Sequence, residues 1–379
     1  MAATNLATFG AESYSQTNEF KQKLRDSFRE ASIAKMTRIT KNNLIDFNST
    51  KTPSSWVCSE CGEIFQHTFG FMGFKNVPLC PVCYPPNLRG KEERVLVEWL
   101  RSEFPSEPLI CNSCSIIPPK ELDIYFPDRK LAIEFDEIAW HCENDFNGVA
   151  AKNKYYHLNK TTACRALGVT LLHIWNVEWR ERKEIIQSLI RSHLGASIPV
   201  YARKCTCREL STKIAKPFFE ENHVQGFSGG KFKYGLFLDD ELLSSLIITP
   251  QKFNPKSLEI TRFVTKKNFR VIGGFSKLWA YFLKGRVPFD SIKSYSDLRY
   301  FSGAVNSQAG FILQNVNPPT YYYTRDYKSL YHRMNFSKRQ IQQKGLLYMS
   351  DLTEWENMQL NGYNRIWDCG QNVWVLKSE

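Results

Sequence analysis

Between Glu121 and His141 the chain reads ELDIYFPDRKLAIEFDEIAWH, with Glu121, Asp123, Glu134, Asp136 and His141 set among apolar residues. Carboxylates this dense inside strand-forming sequence need a cation or a proton to be tolerated. The Pro-Asp-Arg-Lys break between two apolar runs predicts a β-hairpin, with Asp123 on its first strand and Glu134 on its second. Their carboxylates could then converge on one divalent metal. Glu134 and Asp136 are two apart and share a strand face, so either can be the second acid. Solvated acids at strand ends are the plain alternative.

A second set of ligand-type residues precedes it. Cys58 and Cys61 form one CxxC pair, and Cys80 and Cys83 form another, with eighteen residues between the pairs. Four thiolates at that spacing suit a tetrahedral structural zinc, with Gly62 supplying a tight turn after the first pair. The aromatic stretch between them, with Phe65, Phe69 and Phe71, is too small to fold without the metal. Cys111 and Cys114 lack a partner pair, and Cys205 and Cys207 are one residue apart; these read as ordinary thiols. Eleven cysteines, an odd number, favour metal ligation in a reducing compartment over a disulfide framework.

The elements that must position these residues follow from periodicity. Phe20, Leu24, Phe28 and Ile33 mark an amphipathic helix near the N-terminus, followed by a polar arm. Lys91–Glu103 is a second amphipathic helix on Val95, Leu96, Trp99 and Leu100, with Glu98 among them. After the hairpin, KYYHLNKTTACRAL is helical and places His157 and Lys160 on one face. VTLLHIWNVEW is then a strand and 184–194 a closing helix, giving a small α/β domain. His157 is as readily a helix-surface histidine as a site residue.

Charge is distributed unevenly. Residues 1–50 hold seven Lys/Arg and five Asp/Glu, 51–195 hold 17 and 18, and 196–379 hold 26 and 15. The last half thus contributes +11 of the net +12 (26 minus 15), which suits a module that holds a polyanion. No apolar run reaches the length of a membrane span, and the N-terminus has neither the basic opening nor the apolar core of a signal peptide. A cytoplasmic location is expected.

The run from Glu98 to Trp179 resembles the PD-(D/E)XK nuclease fold, in particular the branch of very-short-patch repair and phage homing endonucleases. The likeness rests on the acidic helix, LDIYFP, IEFDEIAWH, the helix carrying Lys160, and LLHIWNVEW. It implies Mg²⁺ or Mn²⁺ held by Asp123 with Glu121, Glu134 or Asp136, Glu98 as the helix acid, and His141 as acid–base group or phosphate ligand. Position 136 is Asp where the common pattern has lysine, so Lys160 would supply the positive charge. The cysteine pairs resemble a treble-clef zinc ribbon, a companion of such nucleases.

Farther on, the order of strands around RVIGGFSKLWAYFL resembles the GNAT acyltransferase fold. Arg270 and Gly273 match two anchors of its pyrophosphate loop, and Phe275 stands where a small residue is usual. On chemistry alone, Gly273 and Gly274 before a helix are an anion cradle or simply a tight turn. The tyrosines of PPTYYYTRD and the cations Arg325, Arg333, Lys338 and Arg339 suit base stacking and phosphate contact. Residues 363–379 read as a closing β-hairpin.

The expectation is an α/β multidomain chain. Residues 1–55 form a helix and basic arm, 56–86 a zinc ribbon, 87–196 a PD-(D/E)XK-like core, and 197–379 a basic GNAT-like α+β domain. These together imply a metal-dependent endodeoxyribonuclease of homing type acting on double-stranded DNA, with a transient homodimer for double-strand cleavage. The alternatives are an acyl-CoA-dependent N-acetyltransferase fused to a nuclease-like domain, and a non-catalytic DNA-binding protein.

Overall fold

A computed structural model describes residues 15, 17–40, 43–46, 54–58, 62–67, 90–144 and 152–378. The chain forms two compact units, Met1–Arg89 and Gly90–Glu379. Among the described residues no helix is long and apolar enough to cross a membrane.

In the first unit, helix α1 (Asn18–Thr40) precedes an antiparallel sheet of β1 (Asn43–Asp46), β2 (Ser54–Val57) and β3 (Ile64–His67). Trp56 and Phe65 are cross-strand partners and both are buried, which is what orders so small a sheet. Cys58 is buried, and Gly62 takes φ +77°, closing the turn through its N–H to Cys58 O at 3.0 Å. Cys61, Cys80 and Cys83 lie outside the described residues. The expected four-cysteine zinc site therefore falls outside the described residues, and what is described of this region is the three-stranded sheet, with Cys58 directly after β2.

The second unit opens with α2 (Lys91–Glu103), whose Leu96, Val97 and Leu100 are buried. A four-stranded sheet follows in the order β4 (Ile110–Ile117), β5 (Lys120–Phe126), β6 (Leu131–Asp136) and β7 (Thr170–Trp175). The β5–β6 hairpin turns through a short 3-10 segment at Pro127–Arg129, with Lys130 left-handed at φ 46°. β6 lies between β5 and parallel β7, so all six of its residues are buried, the two acids included. β4, which pairs with β5, was not legible as a strand: its ICNSCSII lacks clean alternation. The short helix α3 (Ile138–His141) and helix α4 (Tyr156–Ala166) lie between β6 and β7 in sequence. α5 (Asn176–Glu181) and α6 (Lys183–His193) follow β7.

The remainder is built on a seven-stranded sheet. Its strands are β9 (Thr206–Glu209), β10 (Phe232–Leu238), β11 (Glu241–Gln251), β12 (Asn254–Thr265), β14 (Ser291–Asp297), β15 (Ile312–Asn317) and β19 (Gln371–Lys377). They are ordered β15-β19-β14-β12-β11-β10-β9. Between β12 and β14 run β13 (Phe269–Ile272), which pairs with β8 (Ile198–Tyr201), and α8 (Gly274–Lys284). α7 (Thr212–Asn222) connects β9 to β10. Phe275, Leu278, Trp279 and Phe282 recur at helical spacing on α8 and pack with Leu246, Ile248, Leu258 and Ile292 into the main core.

After α9 (Ala304–Gln308), a small sheet pairs β16 (Tyr321–Thr324) with β17 (Tyr331–His332) and β18 (Asn364–Trp367). α10 (Lys338–Gln343) and α11 (Glu354–Leu360) lie between β17 and β18. The predicted closing hairpin therefore does not form. β18 joins β16 while β19 inserts between β14 and β15, the chain turning at Gly370 with φ +76°. A Cβ at Gly370 would stand 2.3 Å from Asn317 O, so only glycine fits that turn.

Candidate functional site: a buried acid–histidine cluster and a parted pair of strands

One face of the four-stranded sheet carries the acids. Ile124 is the partner of Ile133, which sets Asp123 beside Glu134, and Glu134 is in register with His173 of β7. α4 lies over this face with His157, Lys160, Thr161 and Cys164 buried, at spacings of i, i+3, i+4 and i+7. Its inward stripe is thus largely polar, and polar groups on the sheet answer it. Lys160 Nζ pairs with Glu134 Oε2. Glu134 Oε1 accepts the Asp123 N–H at 3.3 Å, and Asp123 Oδ2 accepts the Phe135 N–H at 2.8 Å.

Burial pushes the Asp123 carboxyl up to about 6, with Lys160 opposing, and raises Glu134 well above the usual carboxylate range. Burial disfavours the Lys160 cation, but Glu134 and Asp123 outweigh it and raise its pKa. Both oxygens of Glu134 and one of Asp123 are therefore committed within the protein. Glu121 lies on the same strand face and is half-buried, whereas Glu98 is exposed. Five residues before it, Glu93 is the α2 acid that is buried.

Two residues beyond Glu134, Asp136 is fully buried among three histidines. His141 Nδ1 is 3.1 Å and His157 Nε2 3.5 Å from Asp136 Oδ1, and His173 Nδ1 is 2.9 Å from Oδ2. His141 Nδ1 and His157 Nε2 are 2.9 Å apart. Thr161 Oγ1 lies 2.9 Å from the other nitrogen of His173. Burial drives His141 down to about 3 and lowers His173, favouring neutral imidazoles. Burial opposes ionisation of Asp136, yet the imidazoles of His157, His141 and His173 hold its carboxyl well below its usual range. This buried Asp/His cluster could coordinate a metal ion. His173 was missed in the sequence. Its signal was a lone imidazole inside the otherwise apolar LLHIW, which requires a partner.

The seven-stranded sheet holds the other candidate. β12 and β14 pair in parallel from Ser257–Ser291 to Ile260–Ser294 and then part. On the other side of β12, Ile247 pairs with Arg262 and Ile248 with Ile260, so Thr261 is bulged out where the parting begins. A cavity of about 1010 Å³ opens there, lined in part by Glu259, Thr261, Phe263, Phe275, Ser294 and Tyr295. Burial raises the Glu259 carboxyl, with Lys293 and Arg262 opposing.

The start of α8 stands at the end of the β13 segment. Gly273, its N-cap, has φ +76° and no side-chain cap, and the Lys277 N–H to Gly273 O bond, 3.0 Å, lies in its first turn. The earliest N–H groups of the helix lack intrahelical acceptors. Arg270 is exposed on β13. Phe275 is turned inward, its ring edge-on to Phe263 at 5.1 Å, so its bulk is in the core and not in the loop. Arg325, Arg333, Lys338 and Arg339 are all exposed in the small-sheet region. Arg325 lies over the Tyr363 ring and Arg333 over Tyr321.

No family model matches the chain, and no curated protein matches it. Solved structures do. An acetyltransferase from Bacillus subtilis in complex with CoA is 14% identical, with 46% of this chain and 100% of that one covered and a TM-score of 0.29. IAA acetyltransferase from Bacillus cereus is 15% identical, with 46% and 99% covered and a TM-score of 0.28. The ribosomal-protein-S18-alanine N-acetyltransferase from Escherichia coli is 10% identical, with 46% and 93% covered and a TM-score of 0.28. At these identities the likeness speaks of fold alone. These solved structures are acetyltransferases, and the identification as a zinc-finger homing endonuclease, with its endodeoxyribonuclease activity, is corrected on that finding. The stretch aligned with them amounts to 46% of this chain.

Proposed function

We propose that the domain built on the seven-stranded sheet is an N-acyltransferase that draws its acyl group from an acyl coenzyme A. The observation that carries the reading is the parting of β12 from β14 at the Thr261 bulge, over a cavity of about 1010 Å³. The uncapped start of α8 supports it.

The residues present fit the donor. A Cβ built on Gly273 would meet nothing nearer than Ala202 Cβ at 3.8 Å, so the backbone there is open to a diphosphate. Its binding groups would be the N–H groups at the start of α8 and the exposed Arg270 guanidinium. The parted strands would offer their unpaired backbone to the pantetheine amides. When bound, the coenzyme supplies a thioester carbonyl open to an amine.

Glu259 is the group placed to take the amine proton. It lines the cavity, and its raised carboxyl lies nearer the range of a working base than a solvated glutamate does. Lys293, its register partner on β14, limits that rise. The test is calorimetric binding of acetyl-CoA to the full chain, followed by coenzyme A release with a panel of primary amines. Absence of both would refute the reading.

We propose duplex DNA as a partner of the exposed Arg325, Arg333, Lys338 and Arg339. Those cations lie beside tyrosines, and the last half of the chain carries an excess of positive charge.

A further inference from the structure

We infer that Asp136, His141 and His157 form a binding site for one divalent transition-metal ion, with His173 as the residue that positions Asp136. The inference is independent of the acyltransferase reading.

The geometry begins with three atoms. Asp136 Oδ1, His141 Nδ1 and His157 Nε2 make a triangle with edges of 3.1, 3.5 and 2.9 Å. Ligands about 2.0–2.1 Å from a tetrahedral ion are separated by about 3.3 Å along each edge, so the triangle has the size of one tetrahedral face. Three side chains from three elements converge on this face: the last residue of β6, the last residue of α3 and the second residue of α4.

An apolar core would not leave the atoms this way. Asp136 Oδ1 is buried and accepts no hydrogen bond, although two imidazole nitrogens face it. A buried carboxylate oxygen left unsatisfied costs about 1–3 kcal/mol or more, and a cation seated on the triangle removes that cost. The rings of His141 and His157 lie 16° from parallel with centroids at 5.2 Å, so the two nitrogens face each other at 2.9 Å in a hydrogen bond that a cation on the triangle would replace.

His173 is excluded as a ligand by its own bonding. Its Nδ1 lies 2.9 Å from Asp136 Oδ2 and its Nε2 2.9 Å from Thr161 Oγ1. A neutral imidazole donating to the carboxylate and accepting from the hydroxyl uses both nitrogens. It therefore holds the carboxylate so that Oδ1 faces the two other histidines, the role outer partners play around metal ligands. The ligand set, one carboxylate and two imidazoles, suits Zn²⁺, Fe²⁺ or Co²⁺ better than Mg²⁺ or Ca²⁺, which take oxygen ligands. The His141 side chain is 14% exposed and the other three are nearly closed off, so the ion would enter past His141.

The probe is Co²⁺ titrated into the chelator-treated full chain, read by visible absorption and by metal bound per chain. The Cys58→Ala chain serves as the reference, because thiolate-bound cobalt is recognised by its charge-transfer absorption and is set aside. The expected result is one cobalt per chain bound through nitrogen and oxygen only. Asp136→Asn and His157→Gln should weaken that binding by at least about a hundredfold, and His173→Gln by about ten- to a hundredfold. His141→Gln, at the partly exposed rim, keeps the test decisive if the buried variants do not fold. Its far-UV circular dichroism should match the reference, and its cobalt affinity should fall by about a hundredfold or more. An unchanged cobalt affinity and spectrum in folded His141→Gln would overturn the inference, as would a reference chain that binds no such cobalt.

Discussion

His141 Nδ1 and His157 Nε2 stand 2.9 Å apart, on rings from two different helices that stack within 16° of parallel. The two residues are sixteen apart in sequence, and Asp136 beneath them is the reason they meet. The same sheet face holds the Lys160–Glu134 ion pair, so polar residues govern this layer where a small α/β sheet would ordinarily bury aliphatics.

Breaking that ion pair should be expensive. Lys160→Met leaves Glu134 buried beside Asp123 without a counter-ion, and a loss of about 3–5 kcal/mol is expected in urea unfolding. The double variant Glu134→Leu/Lys160→Met should lose less than the single one. A double variant less stable than Lys160→Met would show that the pair is not the main partner of either group.

Asp123 gives a pH signature. Its folded pKa, about 6, lies above the ordinary 3.8, so the folded state holds the proton more tightly than the unfolded state. Its stabilising contribution is therefore fully present below about pH 4 and is lost as pH rises through 6. Asp123→Asn should gain on the wild type across that window by about 2 kcal/mol, allowing for the residue's partial accessibility. Parallel stability–pH curves for the two proteins would contradict this.

Arg299 ties the four-stranded sheet of the second unit to the seven-stranded one. It is buried, stacks on Trp175 at 4.0 Å, pairs with Glu178 at 2.9 Å and Asp297 at 3.1 Å, and its carbonyl accepts the His173 N–H at 3.1 Å. Arg299→Met leaves two carboxylates without their cation and should destabilise by about 3–5 kcal/mol. Chemical denaturation checks the value, and a loss below about 1 kcal/mol would be incompatible with this bonding.

The basic C-terminal residues make a separate prediction. If they contact duplex phosphates, Arg333→Ala/Lys338→Ala/Arg339→Ala should weaken DNA binding for all sequences alike. It should also reduce the slope of log affinity against log salt by about 2–3. Equal slopes, measured by fluorescence anisotropy, would remove DNA from this face.

Much of the acid layer was legible because its signals are local. The Pro-Asp-Arg-Lys break marks the β5–β6 turn, and the spacing of His157 and Lys160 places them on one helical face. What was not legible depends on phase and on distant pairing. Glu98 lies among apolar residues in the sequence, but helical rotation carries it to solvent and turns Glu93 inward. Asp136 reads as a metal acid beside Glu134, yet its partners are histidines supplied by α3, α4 and β7, which no spacing rule brings together. Trp367 and Trp374 look like the arms of one hairpin, but their strands belong to different sheets. The likeness to a nuclease drew on these local motifs, while the strand order of the seven-stranded sheet is set by long-range pairing.

Titration calorimetry of the full chain with acetyl-CoA, beside Arg270→Ala and Glu259→Gln, tests the acyltransferase reading most directly. Saturable binding of one acetyl-CoA per chain is expected, about tenfold weaker in Arg270→Ala. In Glu259→Gln binding should be unchanged, with acyl transfer to amines slowed by about 10²–10⁴. No binding of acetyl-CoA to the folded wild type, or identical affinity in Arg270→Ala, would contradict it.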